Sequence, residues 1–280
     1  MQVAYWLARF FKRNENKQLC IRIASSHQQR TPMKWFIKHI FAFATILFMI
    51  SCGNNQSRDQ QKKVDTTSQV VPIHGVDLAL FDGISFKGWH AYNKPAENIK
   101  NWTIIDSALV CLGSAADAHG GDIVTDTEYE NFELSWEWKV NKGSNSGVMY
   151  HVVEDSVYLA PYETGPEYQI IDDIGFPQKL EDWQKTAADY AMFPPKTNKK
   201  LKPVGEWNSS KIVYNNGHVE HWLNGEKVVE FERDSEVWKK KRTSGKWKDY
   251  PGYASAKKGK IALQDHGQKA YFRKIYITEL

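Results

Sequence analysis

Two short stretches of this sequence place side chains where they could move protons. In Gly165–Asp173 (GPEYQIIDD) an extended backbone puts Glu167 and Gln169 on one face and Tyr168 and Ile170 on the other, because side chains alternate along a strand. In Leu263–Gly267 (LQDHG) the same spacing places Gln264 with His266. A carboxylate and an imidazole are the groups from which general acids and bases are made, and imidazole titrates closest to neutrality. A third candidate, His221 in HVEHWL, faces away from Glu220 and Trp222. Met149 and His151 share a face in GVMYHVV, and Lys139 projects opposite Trp136 and Trp138 in FELSWEWKV. Lys139 and His151 are therefore candidate cations. His119-Gly120-Gly121-Asp122 reads either as a metal-binding pair or as a plain loop. On an arbitrary strand any of these side chains would simply face solvent, so spacing alone names candidates and no reaction.

The elements that must position them read as strands. Phe132–Val140 alternates apolar and polar residues over its whole length. Gly147–Val153, Glu167–Ile171, Lys211–Tyr214, His218–Leu223, Lys227–Phe231, Lys260–Gln264 and Tyr271–Thr278 are further short strands. Asn216-Gly217 and Asn224-Gly225 are type I′ hairpin signals that join three of them into a meander. Many short strands with frequent turn signals predict an all-β, two-sheet antiparallel sandwich or jelly roll. Residues 177–206, with Pro177, Pro194, Pro195 and Pro203, form a long irregular insertion, and loops of that length in a compact domain are usually functional.

Charge and cysteine usage narrow the setting. The 280 residues carry 37 Lys/Arg and 33 Asp/Glu, but residues 1–52 hold eight of the bases and one acid, leaving a net −3 on the rest. The basic balance belongs to the leader, and binding to nucleic acid loses its support. From Met33 the sequence MKWFIKHIFAFATILFMISC has Lys34 and Lys38 before an apolar run that is too short to span a bilayer. It reads as a signal peptide, residues 33–52, ending in Ser51-Cys52 like a bacterial lipobox. Cys52 is the expected lipidation site, and the protein is expected in the cell envelope, held to the membrane by that lipid. Translation is expected to start at Met33, with residues 1–32 an extension of the gene model. Residues 53–71 are polar and lack aromatics, as a flexible tether would. Outside the leader only Cys111 remains, so the domain at 72–280 must hold together without an internal disulfide.

Six segments then occur in order: FDGISFKGW (81–89), NSGVMYHV (145–152), GPEYQIIDD (165–173), GEWN (205–208), VEHWLNGEKV (219–228) and LQDHG (263–267), the last followed by FRKIYI (272–277). Together they resemble the 3-keto-disaccharide hydrolase domain family (DUF1080) over about residues 74–280. The resemblance implies a jelly roll of the concanavalin A and laminin G kind, acting on oxidised glycosides. Trp89, Trp207 and Trp222 lie in the matched segments, where a ring could stack on a sugar. His151 departs from the family pattern, in which many members carry Arg, and so lacks a permanent cation.

Jelly-roll glucanases use a Glu-x-Asp-x-x-Glu strand to set two carboxylates on one face, but EYQIID has Gln169 where the Asp would stand. A 3-keto sugar offers another route. The ketone acidifies the C2 proton, one base removes it, the C1 substituent leaves, and water adds to the enone. On this reading His221 or His266 is the base and Glu167 the acid or its orienting partner. Lys139, His151 or a divalent metal ion stabilises the enolate, while Gln169, Gln264, Trp207 and Trp222 bind substrate. A non-catalytic carbohydrate-binding module and a structural surface lipoprotein are the competing readings, since fold does not fix function.

Overall fold

The alternation in Phe132–Val140 is realised as a nine-residue strand in which buried and half-buried positions alternate without exception. The computed structural model describes residues 75–95, 98–113 and 121–280; the expected signal peptide with Cys52, the expected tether and His119 lie outside these. In chain order the first strands are β1 (Leu78–Ala79), β2 (Trp89–Ala91), β3 (Trp102–Ile105), β4 (Ala108–Cys111), β5 (Ile123–Thr125) and β6 (Phe132–Val140). They are followed by β7 (Asn145–Val152), β8 (Glu167–Ile171), β9 (Asn208–Asn215), β10 (His218–Leu223), β11 (Glu226–Glu232), β12 (Lys260–Leu263) and β13 (Ala270–Glu279). One sheet has eight strands in the order β11-β10-β9-β6-β13-β4-β3, with β1 also paired to β13. The other has five, in the order β2-β5-β12-β7-β8, and all pairings in both are antiparallel.

The protein is an all-β jelly-roll sandwich, as its alternation predicts. Asn216 and Gly217, and Asn224 and Gly225, all have positive φ, as type I′ turns require, and they connect β9, β10 and β11. The inner faces meet through aromatic contacts. Trp136 of β6 packs edge-on against Tyr168 of β8 at 5.0 Å, and Phe132 against Tyr150 of β7 at 6.1 Å. Burial of this two-sheet core is the main force holding the sandwich.

The five-stranded sheet is also covered on its outer face. Val124, Met149 and Ala262 form a second apolar cluster there beneath Tyr162. Residues 182–193 of the long insertion run along the free edge of β8. Backbone hydrogen bonds from Gln169 to Ala188, from Ala187 to Gln169 and from Tyr190 to Glu167 tie it down. An exposed edge strand is thereby closed. A helix not foreseen in the sequence, α1 (Glu236–Ser244), starts at Ser235, whose side chain accepts from the Trp238 N–H, and is anchored by buried Trp238. Arg242 near its C-terminal end donates to the carbonyls of Trp247, Tyr250 and Tyr253, fixing the turn that follows.

One strand breaks its alternation. Register between β12 and β7 shifts at Lys260/Ala262, and His151 takes a left-handed φ of 53°. Such an irregularity turns a side chain to the other face. His151 therefore points inward, not to the face of Met149.

Candidate functional site

The outer face of the five-stranded sheet bears the polar ends of three strands. Glu167 and Gln169 project from β8, Asn145 from β7, and Gln264 and His266 from the turn after β12. They line a cleft of about 170 Å³ together with Lys246. Tyr162, Tyr190 and Tyr250 complete its walls.

Glu167 lies across β7 where Gly147 leaves room for it: a Cβ on Gly147 would stand 2.3 Å from Oε1. The residue is 4% exposed, and its carboxylate receives no hydrogen bond from any described residue. Burial pushes its pKa up to about 7, with buried Asp122 adding to the rise and Lys246 opposing it. Behind the cleft, burial likewise raises Asp122 to about 7, against the hydrogen bond it accepts from the Asp265 N–H at 2.8 Å. The amide oxygens of Asn145 and Gln264 are enclosed without a hydrogen-bond donor. Buried acceptors without partners are costly in a finished core, and here they face a cleft in which a hydroxylated ligand would satisfy them.

Lys246 opens the short turn after α1. Its ammonium stands over Tyr162, Tyr190 and Trp247 at 5.3, 4.5 and 4.4 Å from the ring centroids. Trp247 is locked by stacking on Tyr253 at 4.0 Å and by donating from Nε1 to the Tyr190 carbonyl at 3.0 Å. The cation is thus held by ring faces. It forms no ion pair with Glu167. Enclosure by protein lowers its pKa, with Glu167 pulling it back up. Burial also lowers the pKa of His266, so that its ring is neutral at pH 7.

Of the residues singled out from sequence, Glu167, Gln169, Gln264 and His266 come together, and six do not join them. His221 is fully buried between the sheets, where it donates from Nδ1 to the Ala187 carbonyl at 3.0 Å and lies 4.8 Å from the Tyr168 ring. Alternation correctly separates it from Glu220 and Trp222, but its side is the inner one. His151 packs 4.3 Å from Tyr214 and donates to the Glu130 carbonyl at 2.9 Å. Burial depresses both imidazoles to about 4, so neither supplies a cation at neutral pH. Lys139 stands on the outer face of the other sheet, between the rings of Trp207 and Tyr271 at 4.9 and 4.7 Å. Trp207 is further covered by Arg273 at 3.9 Å, and Trp222 lies under Lys211 at 5.0 Å with its N–H given to Glu220. These rings are occupied by cations and are remote from the cleft face. Trp89 is buried and donates to the Leu80 carbonyl.

Three metal-type donors gather, among the described residues, only at His218, Glu220 and Glu230 on the outer face of the eight-stranded sheet. Among the described residues the cleft offers one carboxylate and one imidazole, which is not a ligand set of the usual kind. The residues missed from sequence are Asn145, Tyr162, Tyr190, Tyr250 and Lys246. Asn145 begins a matched segment and Tyr190 lies in the insertion marked as functional, so both carried a signal. Lys246 carried none, since it sits outside any strand in a run of lysines.

Residues 78–278 match the family model described as a 3-keto-alpha-glucoside-1,2-lyase-like domain. A 3-keto-disaccharide hydrolase of Bacteroides thetaiotaomicron is 34% identical over 235 residues, covering 72% of this chain and 78% of the relative. The crystal structure of a provisionally assigned glycosyl hydrolase from Parabacteroides distasonis superimposes with a TM-score of 0.68 at 46% identity, covering 73% of this chain and 94% of that one. A second such protein from the same organism gives 0.54 at 26% identity, covering 73% and 100%.

Proposed function

This chain belongs to the 3-keto-alpha-glucoside-1,2-lyase-like family, and from that premise we propose that the cleft around Glu167 cleaves the glycosidic bond of 3-keto-glycosides. The observation that carries this reading is an enclosed carboxylate poised near neutrality, without a hydrogen bond from any described residue, beside a cation it does not pair with.

A ground-state glycosidase needs two carboxylates, and the described residues of the cleft include one. A ketone at C3 makes one sufficient. Glu167 takes the C2 proton, the C2–H electron pair forms the C1–C2 double bond, and the C1–O bond breaks. Protonated Glu167 returns its proton to the departing oxygen. In the second half Glu167 accepts a proton from water as its oxygen adds to C1, and C2 is reprotonated, so the sum is hydrolysis. A pKa near 7 suits both directions of transfer. Negative charge grows on the C3 oxygen, and Lys246 supplies the opposing charge in a site largely closed to water. Asn145 and Gln264 accept from substrate hydroxyls and orient the ring. The base moves from the histidines to Glu167 because His221 lies in the core and His266 beside the cation.

The test is release of the leaving group from a 3-keto-glucoside and from its unoxidised parent, with and without a chelator. Release from the keto substrate alone is expected. Chelator sensitivity would add a divalent ion to the mechanism. Binding without release from either would make the domain a carbohydrate-binding module. We also propose export and lipid anchoring through Cys52, on the strength of the leader pattern in residues 33–52.

A further inference from the structure

We propose that Asp122 is a positioning residue for the reaction: it pins the turn that carries Gln264 and His266, and its charge acts on Glu167 across Gln264. This deepens the reading of Glu167 as the base and rests on it. Asp122 stands immediately before β5 and is 7% exposed, and its carbonyl accepts from the Tyr92 N–H at 2.9 Å. Its Oδ1 accepts from the Asp265 N–H at 2.8 Å. Asp265 lies between the cleft residues Gln264 and His266. The Asp265 carboxylate in turn accepts from the Gly267 N–H at 2.9 Å and from the Asn101 amide at 3.0 Å. The turn is thus folded about Asp265, and Asp122 ties it to the sheet. Without that acceptor a buried N–H is left unsatisfied and the turn is released.

Register brings the same residue close to Glu167. Leu263 of β12 pairs with Ile123 on one side and Val148 on the other, and Gln264 donates its N–H to the Gly147 carbonyl. One step further along, Asp122, Gln264 and Gly147 therefore form a row across three neighbouring strands. They share the outer face with Val124, Ala262 and Met149, each two positions away on its own strand. Neighbouring strands are about 4.8 Å apart, so Asp122 stands about 10 Å from Gly147. The Glu167 carboxylate leans over Gly147, and one neutral amide, Gln264, lies between the two acids. Like charges at that separation oppose each other inside a protein.

The electrostatics agree with the row. Burial is the main cause that holds a proton on each acid up to about 7, and the charge of Asp122 adds to the rise at Glu167. Also facing Glu167 are Lys246, His266, Asp189, Tyr190 and Tyr253. Facing Asp122 are Asp265, Lys94, Tyr92 and Cys111. Burial keeps Asp189, the three tyrosines and the thiol protonated near neutrality. Those groups stay uncharged there, whereas Asp122 and Glu167 titrate together as a pair.

Two variants separate the charge from the hydrogen bond. Asp122→Asn keeps an acceptor for the Asp265 N–H and removes the charge; Asp122→Ala removes both. In both, the rise of kcat/KM with pH should move to lower pH by about half a unit or more. KM for a 3-keto-glucoside should rise at least about fivefold in the Ala variant and stay within about twofold in the Asn variant. A pH profile unmoved in Asp122→Asn, or a KM raised as far there as in Asp122→Ala, would overturn the proposal. The titration of Glu167 is also read without substrate, by carbon-13 NMR of carboxyl-labelled glutamate, its signal identified by loss in Glu167→Gln. Its midpoint should fall in Asp122→Asn by the same half unit or more, and an unchanged midpoint overturns the coupling even if the Ala variant does not fold. Should the wild type release nothing from a 3-keto-glucoside while that midpoint still falls, the catalytic reading fails and the action of Asp122 on Glu167 stands.

Discussion

A carboxylate enclosed by protein and given no hydrogen-bond donor holds its proton longer, because ionisation must be stabilised by the surroundings alone. Among the described residues Glu167 has no such donor, and the proposed role as base requires the ionised form. The kcat/KM of the wild type should therefore rise with pH through about 7 and level off above it. Glu167→Gln should lower kcat by about 10²-fold or more with the fold intact, checked by turnover and circular dichroism. The same shift has an opposite consequence for stability. The folded pKa lies above the unfolded one, so the wild type loses stability as pH rises from the unfolded value through about 7. The Gln variant lacks this loss. Its Tm should equal that of the wild type near pH 4 and exceed it at pH 8; a lower Tm at pH 8 would show the carboxylate to be stabilised when charged. His221 offers the contrast. Its ring is buried between the sheets with Nε2 lacking a partner, so an apolar replacement removes an unsatisfied group. His221→Leu should keep kcat/KM within a few-fold, and a loss matching that of Glu167→Gln would return this histidine to the mechanism.

At the scale of elements, the site depends on what β7 omits. Gly147 sits opposite Gln169 in the register, and any Cβ there collides with the Glu167 carboxylate. Gly147→Ala should displace that group, lowering kcat/KM at least about tenfold at a stability cost of about 1–3 kcal/mol. Activity assays beside urea melts separate the two effects, and unchanged kcat would show that the observed carboxylate position is dispensable. The insertion and α1 act on the opposite wall. Backbone hydrogen bonds fix Tyr190 to β8, and the Arg242 guanidinium fixes the turn bearing Lys246 through its carbonyls, so both are held by hydrogen bonds. A site supported in this way keeps its geometry when substrate is absent.

For the whole molecule, the two sheets divide labour. The eight-stranded sheet presents ion pairs and cation-covered rings on its outer face, such as Arg273 and Lys274 on Glu137, whereas the five-stranded sheet carries the cleft. A lipid on Cys52 would hold this body to a membrane through the polar segment 53–71. The wild type should partition with detergent in a phase-separation assay and Cys52→Ser should remain in the aqueous phase. Equal partitioning of the two would remove the lipid anchor.

Local pattern was enough for the sandwich. A period of two fixes which side chains share a strand face, and Asn-Gly fixes hairpin turns, so β6, β8, β10 and the meander were legible residue by residue. The same pattern grouped Glu167 with Gln169 and Gln264 with His266. It could not say which face of a strand becomes the inside, since that depends on the sheet packed against it; hence His221 read as a candidate base and lies in the core. Nor could it foresee the irregularity at His151, where register with a strand distant in sequence turns one side chain over. Lys246 reaches Glu167 only through tertiary structure, because α1 and the aromatic rings around it bring a residue 79 positions away in sequence to the same cleft. Alternation is a property of neighbours along the chain, and the site is a property of neighbours in space.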